Sequence, residues 1–228
     1  MAQRSTPDET GRILLPALQI RTTLGDTVAF TGRIDRIDLL ETEDGRKYYI
    51  ITDNKMSAKE LKQNSVVAGL QLQLPLYIRA AQEGLVSYQA AGGLYQPVRD
   101  VLIESEDREQ VAAGIDQQLR TAGMILDQES VQEAVRPVKI SKKSGKNDTI
   151  SSVSPEEMNA VIDCAVGIVT ERVNRIRAGE AAPRPLKDGQ EAPCSGCPHF
   201  DACLYDGTLP GCRMEEVDHR HRMEIPRL

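Results

Sequence analysis

The sequence predicts an α/β fold in which a small mixed sheet is flanked by helices. Apolar and β-branched runs separated by turn residues fill the segment from Leu18 to Asp53, as expected of a strand meander. From Ser65 to Gly84 the apolar residues recur at helical spacing. A third segment, from Ser154 to Gly179, starts and stops with residues that delimit helices. Strands followed by helices in this order are typical of a sheet with helices packed against it.

Four strands are expected in the first hundred residues. They cover residues 18–23, 28–40, 47–53 and 90–98. Asp44-Gly45 lies between the second and third of these runs and is a hairpin signal. The second and third strands are therefore expected to pair with each other in antiparallel fashion.

Helices are expected over the segments 65–84, 108–122 and 127–135. Within the first of them, Pro75 predicts a kink or a restart. The best helix signal in the chain begins at Ser154, which is a suitable N-cap and is followed by Pro155 at the first helical position. Glu157 completes a capping box, and Gly179 follows the end of the helix.

Composition restricts the class of protein. The 228 residues suffice for a domain with a sizeable core, and 40% hydrophobic with 27% charged residues is ordinary for a globular protein. A net charge of −6 argues against a generic cationic coat for nucleic acid, although metal ions would offset a cluster of acids in a DNA enzyme. The chain has no apolar run of membrane-spanning length and no signal-type N-terminus, so we expect no membrane partner and a cytoplasmic location.

A carboxylate and an ammonium lie two residues apart where the third predicted strand ends, at Asp53-Asn54-Lys55. Residues i and i+2 of a strand point to the same face, so both charges are expected on one side. Two carboxylates that converge on Mg²⁺, with a cation near the developing charge, are what phosphodiester hydrolysis needs. The carbonyl of Asn54 would be a further oxygen ligand. The same short pattern also fits a polar strand end that runs into a turn.

A second acid is available in the GRIDRID stretch, as Asp35 or Asp38. These residues are three apart, so in a regular strand they face opposite sides and only one of them can join Asp53. Spacing alone does not decide which.

Four of the five cysteines cluster near the C-terminus, at Cys194, Cys197, Cys203 and Cys212. The C-x₂-C spacing of the first two is chelate spacing, and the clustering indicates a metal rather than disulfides. Both zinc and an iron–sulfur cluster are chemically compatible with thiolates. Zinc would take all four of these cysteines, or three of them with His199.

The order of these motifs resembles the RecB-type nucleases of the PD-(D/E)xK superfamily: GRIDRID, a hairpin, D-x-K, and a helix that carries GLQLQLPLY. The resemblance implies a restriction-endonuclease-like core and hydrolysis of DNA with Mg²⁺ or Mn²⁺. It implies that Asp35 and Asp53 bind metal and that Lys55 assists the attacking water. Gln73 and Tyr77 match the Q-x-x-x-Y motif, which in that family packs near the active site and touches DNA. Asn54 departs from the family, which often has an aromatic residue there.

The C-terminal cysteines make the resemblance more specific, to the AddB-type subunits of bacterial helicase–nucleases and more distantly to CRISPR-associated RecB-like nucleases. In those families three C-terminal cysteines and one distant N-terminal cysteine hold a [4Fe–4S] cluster. The resemblance implies Cys194, Cys197 and Cys203 as ligands. Since no cysteine precedes Cys164, we expect either that this chain is a fragment with its fourth ligand upstream or that Cys212 takes that place.

The expected organisation is a disordered tail over 1–14, a RecB-like nuclease core over 15–185 and a cysteine-rich iron–sulfur segment over 186–228. The resemblance implies three partners: DNA, an AddA-type helicase–nuclease subunit and the remainder of an AddB-like chain. The implied role is exonuclease activity in recombinational repair of double-strand breaks. The alternatives are a stand-alone or CRISPR-associated nuclease, a non-catalytic binding scaffold, and a zinc-ribbon-like tail on an unrelated fold. The lysine-rich loop over 139–148 is interpreted as a solvated loop in preference to a phosphate site.

Overall fold

A six-stranded mixed sheet forms the centre of the molecule. The computed structural model describes residues 12–57, 59–104, 107–135, 140–141, 150–180, 182–187, 193–203, 205–206, 209 and 214–216. The strands are β1 (Leu18–Arg21), β2 (Thr27–Phe30), β3 (Arg36–Glu41), β4 (Lys47–Lys55), β5 (Gln89–Pro97), β6 (Ala122–Leu126), β7 (Ile140–Ser141), β8 (Ile150–Val153), β9 (Leu186–Lys187) and β10 (Glu215–Glu216). The helices are α1 (Gln63–Val67), α2 (Gln73–Gly84), α3 (Arg108–Gln118), α4 (Glu129–Ala134), α5 (Pro155–Arg177) and α6 (Phe200–Cys203).

The strand order in the main sheet is β3-β4-β5-β6-β8-β7. β3 pairs with β4 and β5 pairs with β6 in antiparallel fashion, whereas β4–β5, β6–β8 and β7–β8 are parallel pairs. The α/β class and the mixed sheet with flanking helices are therefore confirmed. β1 and β2 form a separate antiparallel pair, and β9 and β10 form a short parallel one.

The interior strand β4 is the structural base of the site described below. Its residues from Tyr48 to Asp53 are all buried, because β3 and β5 flank it and helices cover it. The buried hydroxyl of Tyr49 donates a hydrogen bond of 2.9 Å to the carbonyl of Ile78, which ties β4 to α2. α2 and α5 pack together beside the sheet, so the end of β4 lies on a rigid support.

The capped helix predicted after Ser154 is confirmed as α5. The Ser154 hydroxyl accepts the N–H of Glu157, and the Glu157 carboxylate accepts the N–H of Ser154. Gly179 follows the helix with φ +87°. One face of α5 packs against the β1–β2 pair through an apolar cluster that includes Val169 and Val173.

The predicted strand over 28–40 is wrong as a single element. It divides into β2 and β3, and residues 31–35 between them are not strand. Gly32 lies in this break, where a Cβ would be 3.6 Å from the ring of Tyr77 on α2. At this break the chain therefore passes over α2. Asp35 lies outside a strand, so the alternation of side chains along a strand does not fix its direction.

The helix predicted over 65–84 is also wrong as a single element, because α1 and α2 are separate. Gly69, with φ +79°, follows the end of α1, and the N–H of Leu70 bonds back to the carbonyl of Ser65. Pro75 is the third residue of α2, where a backbone N–H has no helical partner in any case. Of the two outcomes that Pro75 predicts, the structure shows the restart and not the kink.

The sequence analysis predicted none of the strands after β5, of which β6 and β8 are the longest in the described residues. β6 occupies the end of the predicted helix 108–122 and the residues after it, and its five residues are all buried. β8 was not predicted at all. The predicted strands at 47–53 and 90–98 correspond to β4 and β5.

Among the residues that the structure describes, no helix has the length and apolar character needed to cross a membrane. Residues 1–11 of the predicted tail and the lysines Lys139, Lys142, Lys143 and Lys146 lie outside the described residues. Ile13, which falls within the predicted tail, packs against the main core.

Candidate active site

The C-terminal end of β4 carries a buried carboxylate beside a lysine. Asp53 is only 3% exposed, and its Oδ2 forms an ion pair with the ammonium of Lys55. The same oxygen accepts no hydrogen bond from any residue in the described part of the chain. A buried carboxylate oxygen without a hydrogen bond is costly. One ammonium offsets this cost only in part, so the site favours a further cation.

Asp35 is held next to this carboxylate. It lies directly before β3, which pairs with β4, and its Oδ2 accepts the backbone N–H of Asn54 at 2.9 Å. Asp38 instead bonds to Arg36 on the surface, at 2.8 and 2.9 Å. The structure therefore brings Asp35, and not Asp38, to the end of β4 next to Asp53.

Lys55 is connected to α2 through two hydrogen bonds in series. Its ammonium donates to Oε1 of Gln73 at 2.8 Å, and Nε2 of Gln73 donates to the Tyr77 hydroxyl at 3.0 Å. Gln73 and Tyr77 are one turn apart and share a face of α2. The five residues selected from the sequence, which are Asp35, Asp53, Lys55, Gln73 and Tyr77, thus lie in one connected cluster with Asn54.

Tyr95 is a member of this cluster that the sequence analysis missed. In the parallel register of β4 and β5 it lies directly beside Asp53. It is 1% exposed, and within the described residues its hydroxyl has no hydrogen-bond partner. Burial raises the pKa of this phenol well above its ordinary value, and the charge of Asp53 adds to the rise. Tyr95 is therefore a neutral ring against the acid. No spacing along the chain could have indicated it, because the contact depends on strand register.

An open groove of about 900 Å³ adjoins the cluster. Its walls are formed by residues 12–18, residues 30–37 and one face of α2. Asp35, Gln73 and Tyr77 line it, as do the cations Arg33 and Arg36. The groove thus joins apolar and cationic surface to the acids, which suits a polyanionic chain.

The donor set at this site fits a hard divalent cation. Asp35 and Asp53 offer carboxylate oxygens. Asn54, which follows Asp53 and donates its N–H to Asp35, offers a backbone carbonyl. Oxygen donors of this kind suit Mg²⁺ or Mn²⁺, and Mg²⁺ is held through one or two carboxylates while it keeps several waters. No group of three or more His, Cys, Asp or Glu side chains suited to a metal occurs within the described ranges.

Three of the C-terminal cysteines lie in a described run of short turns, where they do not come together as a metal-binding group. Cys194 is in a 3₁₀ turn (Pro193–Gly196), the N–H of Cys197 bonds to the Cys194 carbonyl at 3.3 Å, and Cys203 ends α6. Cys194 and Cys197 are half-buried, whereas Cys203 and His199 are exposed. Cys212 lies outside the described residues.

The fifth cysteine is on α5. Cys164 is half-buried there, and burial raises the pKa of its thiol. A half-buried thiol of this kind is suited to packing as a small apolar side chain.

Comparison with known proteins gives consistent matches. The sequence model of the PD-(D/E)XK nuclease superfamily matches residues 3–204. The chain is 33% identical over 215 residues to the B subunit of the ATP-dependent helicase/deoxyribonuclease of Moorella thermoacetica, covering 86% of this chain and 19% of that protein. The B subunits of the same name from Alkaliphilus oremlandii and Carboxydothermus hydrogenoformans are 25% and 29% identical over 92% and 96% of this chain. This chain spans about a fifth of the length of these relatives.

Proposed function

Because the chain belongs to the PD-(D/E)XK nuclease superfamily, we propose that it is a metal-dependent DNA exonuclease domain of an AddB-type helicase–nuclease subunit. The observation that supports this most strongly is the buried Asp53, which has an oxygen without a hydrogen bond and is joined by Asp35 and by Lys55. The relatives are named as a deoxyribonuclease subunit, which supports DNA as the substrate.

Asp35 and Asp53, with the carbonyl of Asn54, would hold Mg²⁺ or Mn²⁺. When bound, such an ion polarises a phosphoryl oxygen and makes its bound water a better nucleophile. Asp53 is suited to this role because it is fixed within β4, and Asp35 because the Asn54 amide orients it. The two acids therefore need little reorganisation on binding.

Lys55 would position the attacking water and stabilise the charge that develops on the phosphate. Its ammonium has three N–H donors, and one of them goes to Gln73. Gln73 is itself fixed by the Tyr77 hydroxyl. This series orients Lys55 through neutral groups, so Asp53 is the carboxylate with which its ammonium pairs. Gln73 and Tyr77 also line the groove, where they would contact the DNA strand.

We expect the purified chain to degrade end-labelled linear DNA in the presence of Mg²⁺ or Mn²⁺. EDTA should abolish the reaction, because the site would then have no cation to hold the phosphate. A covalently closed circle of the same sequence should resist degradation if the enzyme needs an end. Degradation in EDTA would contradict a metal-dependent mechanism. No degradation with either metal at high enzyme concentration would contradict the proposed activity and favour the scaffold alternative.

The wider setting follows from the same relatives. We infer that the chain acts with an AddA-type subunit and with the rest of an AddB-like protein, since it corresponds to about a fifth of each relative. The corresponding process is recombinational repair of double-strand breaks, and a cytoplasmic location fits a chromosomal DNA substrate.

We also infer that Cys194, Cys197 and Cys203 bind a [4Fe–4S] cluster, with the fourth ligand upstream or at Cys212. The dense cysteine spacing supports this inference. Anaerobic reconstitution should yield iron and acid-labile sulfide in about equal amounts, near four of each per chain. Cys203→Ser should lower both. If Cys212→Ser also lowers both, Cys212 is the fourth ligand. Zinc without sulfide would contradict the cluster and favour a zinc site.

A further inference from the structure

Two lysines share the ring of Tyr95. The ammonium of Lys55 lies 5.6 Å from the ring centre, and that of Lys59 lies 5.2 Å from it. Both distances are within the range of a cation–π contact. Since Tyr95 is the cross-strand neighbour of Asp53, this arrangement brings a second cation, Lys59, to the site.

The backbone near Lys59 is anchored. The side chain of Gln71 accepts the N–H of Lys62 at 2.8 Å and donates to the carbonyl of Glu60 at 3.1 Å. On the other side, the carbonyl of Lys55 accepts the N–H of Val98 at 2.8 Å, which fixes the end of β4. Described residues on both sides of Lys59 are thus held by hydrogen bonds, and the ring contact restricts its side chain as well.

A lysine restricted in this way is suited to bind a phosphate. Lysine binds phosphate as a point charge, and a side chain that is already ordered loses less entropy on binding. The ring face of Tyr95 contacts both ammonium groups, so it orients Lys59 through a cation–π contact and not through an ion pair.

We propose that Lys59 contacts a backbone phosphate of the DNA strand in the active site, and that Tyr95 is a positioning residue which holds it there. This proposal rests on the nuclease function proposed above and adds a binding contact to it. The alternative is a packing role without a DNA contact, in which the aliphatic stem of Lys59 only covers the ring of Tyr95, as long side chains often do.

Lys59→Met separates the two possibilities, because methionine still covers the ring but has no charge. Lys47→Met is a matched control. The ammonium of Lys47 lies 6.0 Å from the ring centre of Tyr88. Lys47 is the first residue of β4, whereas the candidate site lies at the last residues of that strand. The control therefore has the same chemical change and the same kind of ring contact at the far end of the strand.

The experiment is binding of a fluorescent single-stranded oligonucleotide to the chain in EDTA, which prevents metal-dependent cleavage, from about 50 to about 300 mM salt. Lys59→Met should reduce the slope of log K against log salt by about 0.7 and weaken binding about fivefold near 0.1 M salt, as expected for one lost phosphate contact. Lys47→Met should change neither. An unchanged slope for Lys59→Met, or equal changes for both variants, would overturn the proposal.

Tyr95 is tested in the same assay. Tyr95→Phe keeps the ring and loses a hydroxyl that has no hydrogen bond in the described structure, so its slope should match the parent. Tyr95→Leu removes the ring and should weaken binding toward the level of Lys59→Met. In the Lys59→Met background, Tyr95→Leu should weaken binding no further, whereas a purely structural effect of the lost ring would add its own loss. Because binding is measured without cleavage, its outcome is independent of whether the chain proves to be a nuclease.

Discussion

Replacement of Asp53 by asparagine is expected to reduce the rate of DNA cleavage by about 10³-fold or more. The variant keeps the size of the side chain but loses the buried charge that would hold the metal ion. A bound metal supplies several kcal/mol of transition-state stabilisation, and each 1.36 kcal/mol is a factor of ten in rate. The rate is measured on end-labelled linear DNA at saturating Mg²⁺.

The control for this variant is Asp38→Asn, which makes the same chemical change in the GRIDRID stretch. Asp38 bonds to Arg36 at the surface, so its loss should change the cleavage rate less than about twofold. Equal losses in the two variants would mean that general charge, and not a metal site at Asp53, underlies the cleavage. An Asp53→Asn enzyme with normal activity would remove Asp53 from the mechanism.

Replacement of Gly123 by alanine is expected to lower the free energy of unfolding by about 3 kcal/mol or more. Gly123 has φ +147°, a conformation that L side chains rarely adopt. A Cβ there would collide with the carbonyl oxygen of Gly93 and lie 3.0 Å from the Cα of Leu94. Both contacts are backbone of the neighbouring strand β5, which cannot move without disrupting the sheet.

Gly167→Ala provides the control, since it is the same substitution on the exposed side of α5. A Cβ at Gly167 meets no other atom within 4 Å. Alanine in a helix interior is more stable than glycine by roughly 0.5–1 kcal/mol, so this variant should be slightly stabilised. Chemical denaturation of both variants measures the difference. A Gly123→Ala protein as stable as the parent would show that the close approach of β5 and β6 is relaxed in solution.

Elements with strong local signals could be predicted from the sequence. α5 has a capping box and a terminal glycine, and β4 and β5 are long apolar runs. β6 was missed because a short apolar run does not distinguish a buried strand from a helix segment. The restart between α1 and α2 is one of the two outcomes that Pro75 predicts, and Gly69 determines where α1 ends, since glycine after a helix is a common stop.

The site residues that belong to sequence motifs could be predicted. The residues that meet only through strand pairing or a loop of the folded chain could not. The three-residue spacing could not decide which of Asp35 and Asp38 joins Asp53, because side chains alternate between faces only when both residues lie in one regular strand. Asp35 lies before β3, so strand alternation does not govern it. Tyr95 and Lys59 join the site through the register of β4 with β5 and through a loop, and neither relation can be read from one segment alone.

The measurement that decides most directly whether Asp35 and Asp53 form a metal centre is diffraction from crystals of this chain soaked in Mn²⁺. The soak should use a concentration at which the chain cleaves DNA, with data collected to record the anomalous signal of manganese. We expect an anomalous peak in contact with the carboxylates of Asp35 and Asp53, and its loss in Asp53→Asn crystals. Manganese bound elsewhere, or no peak at these two acids, would contradict the proposed site.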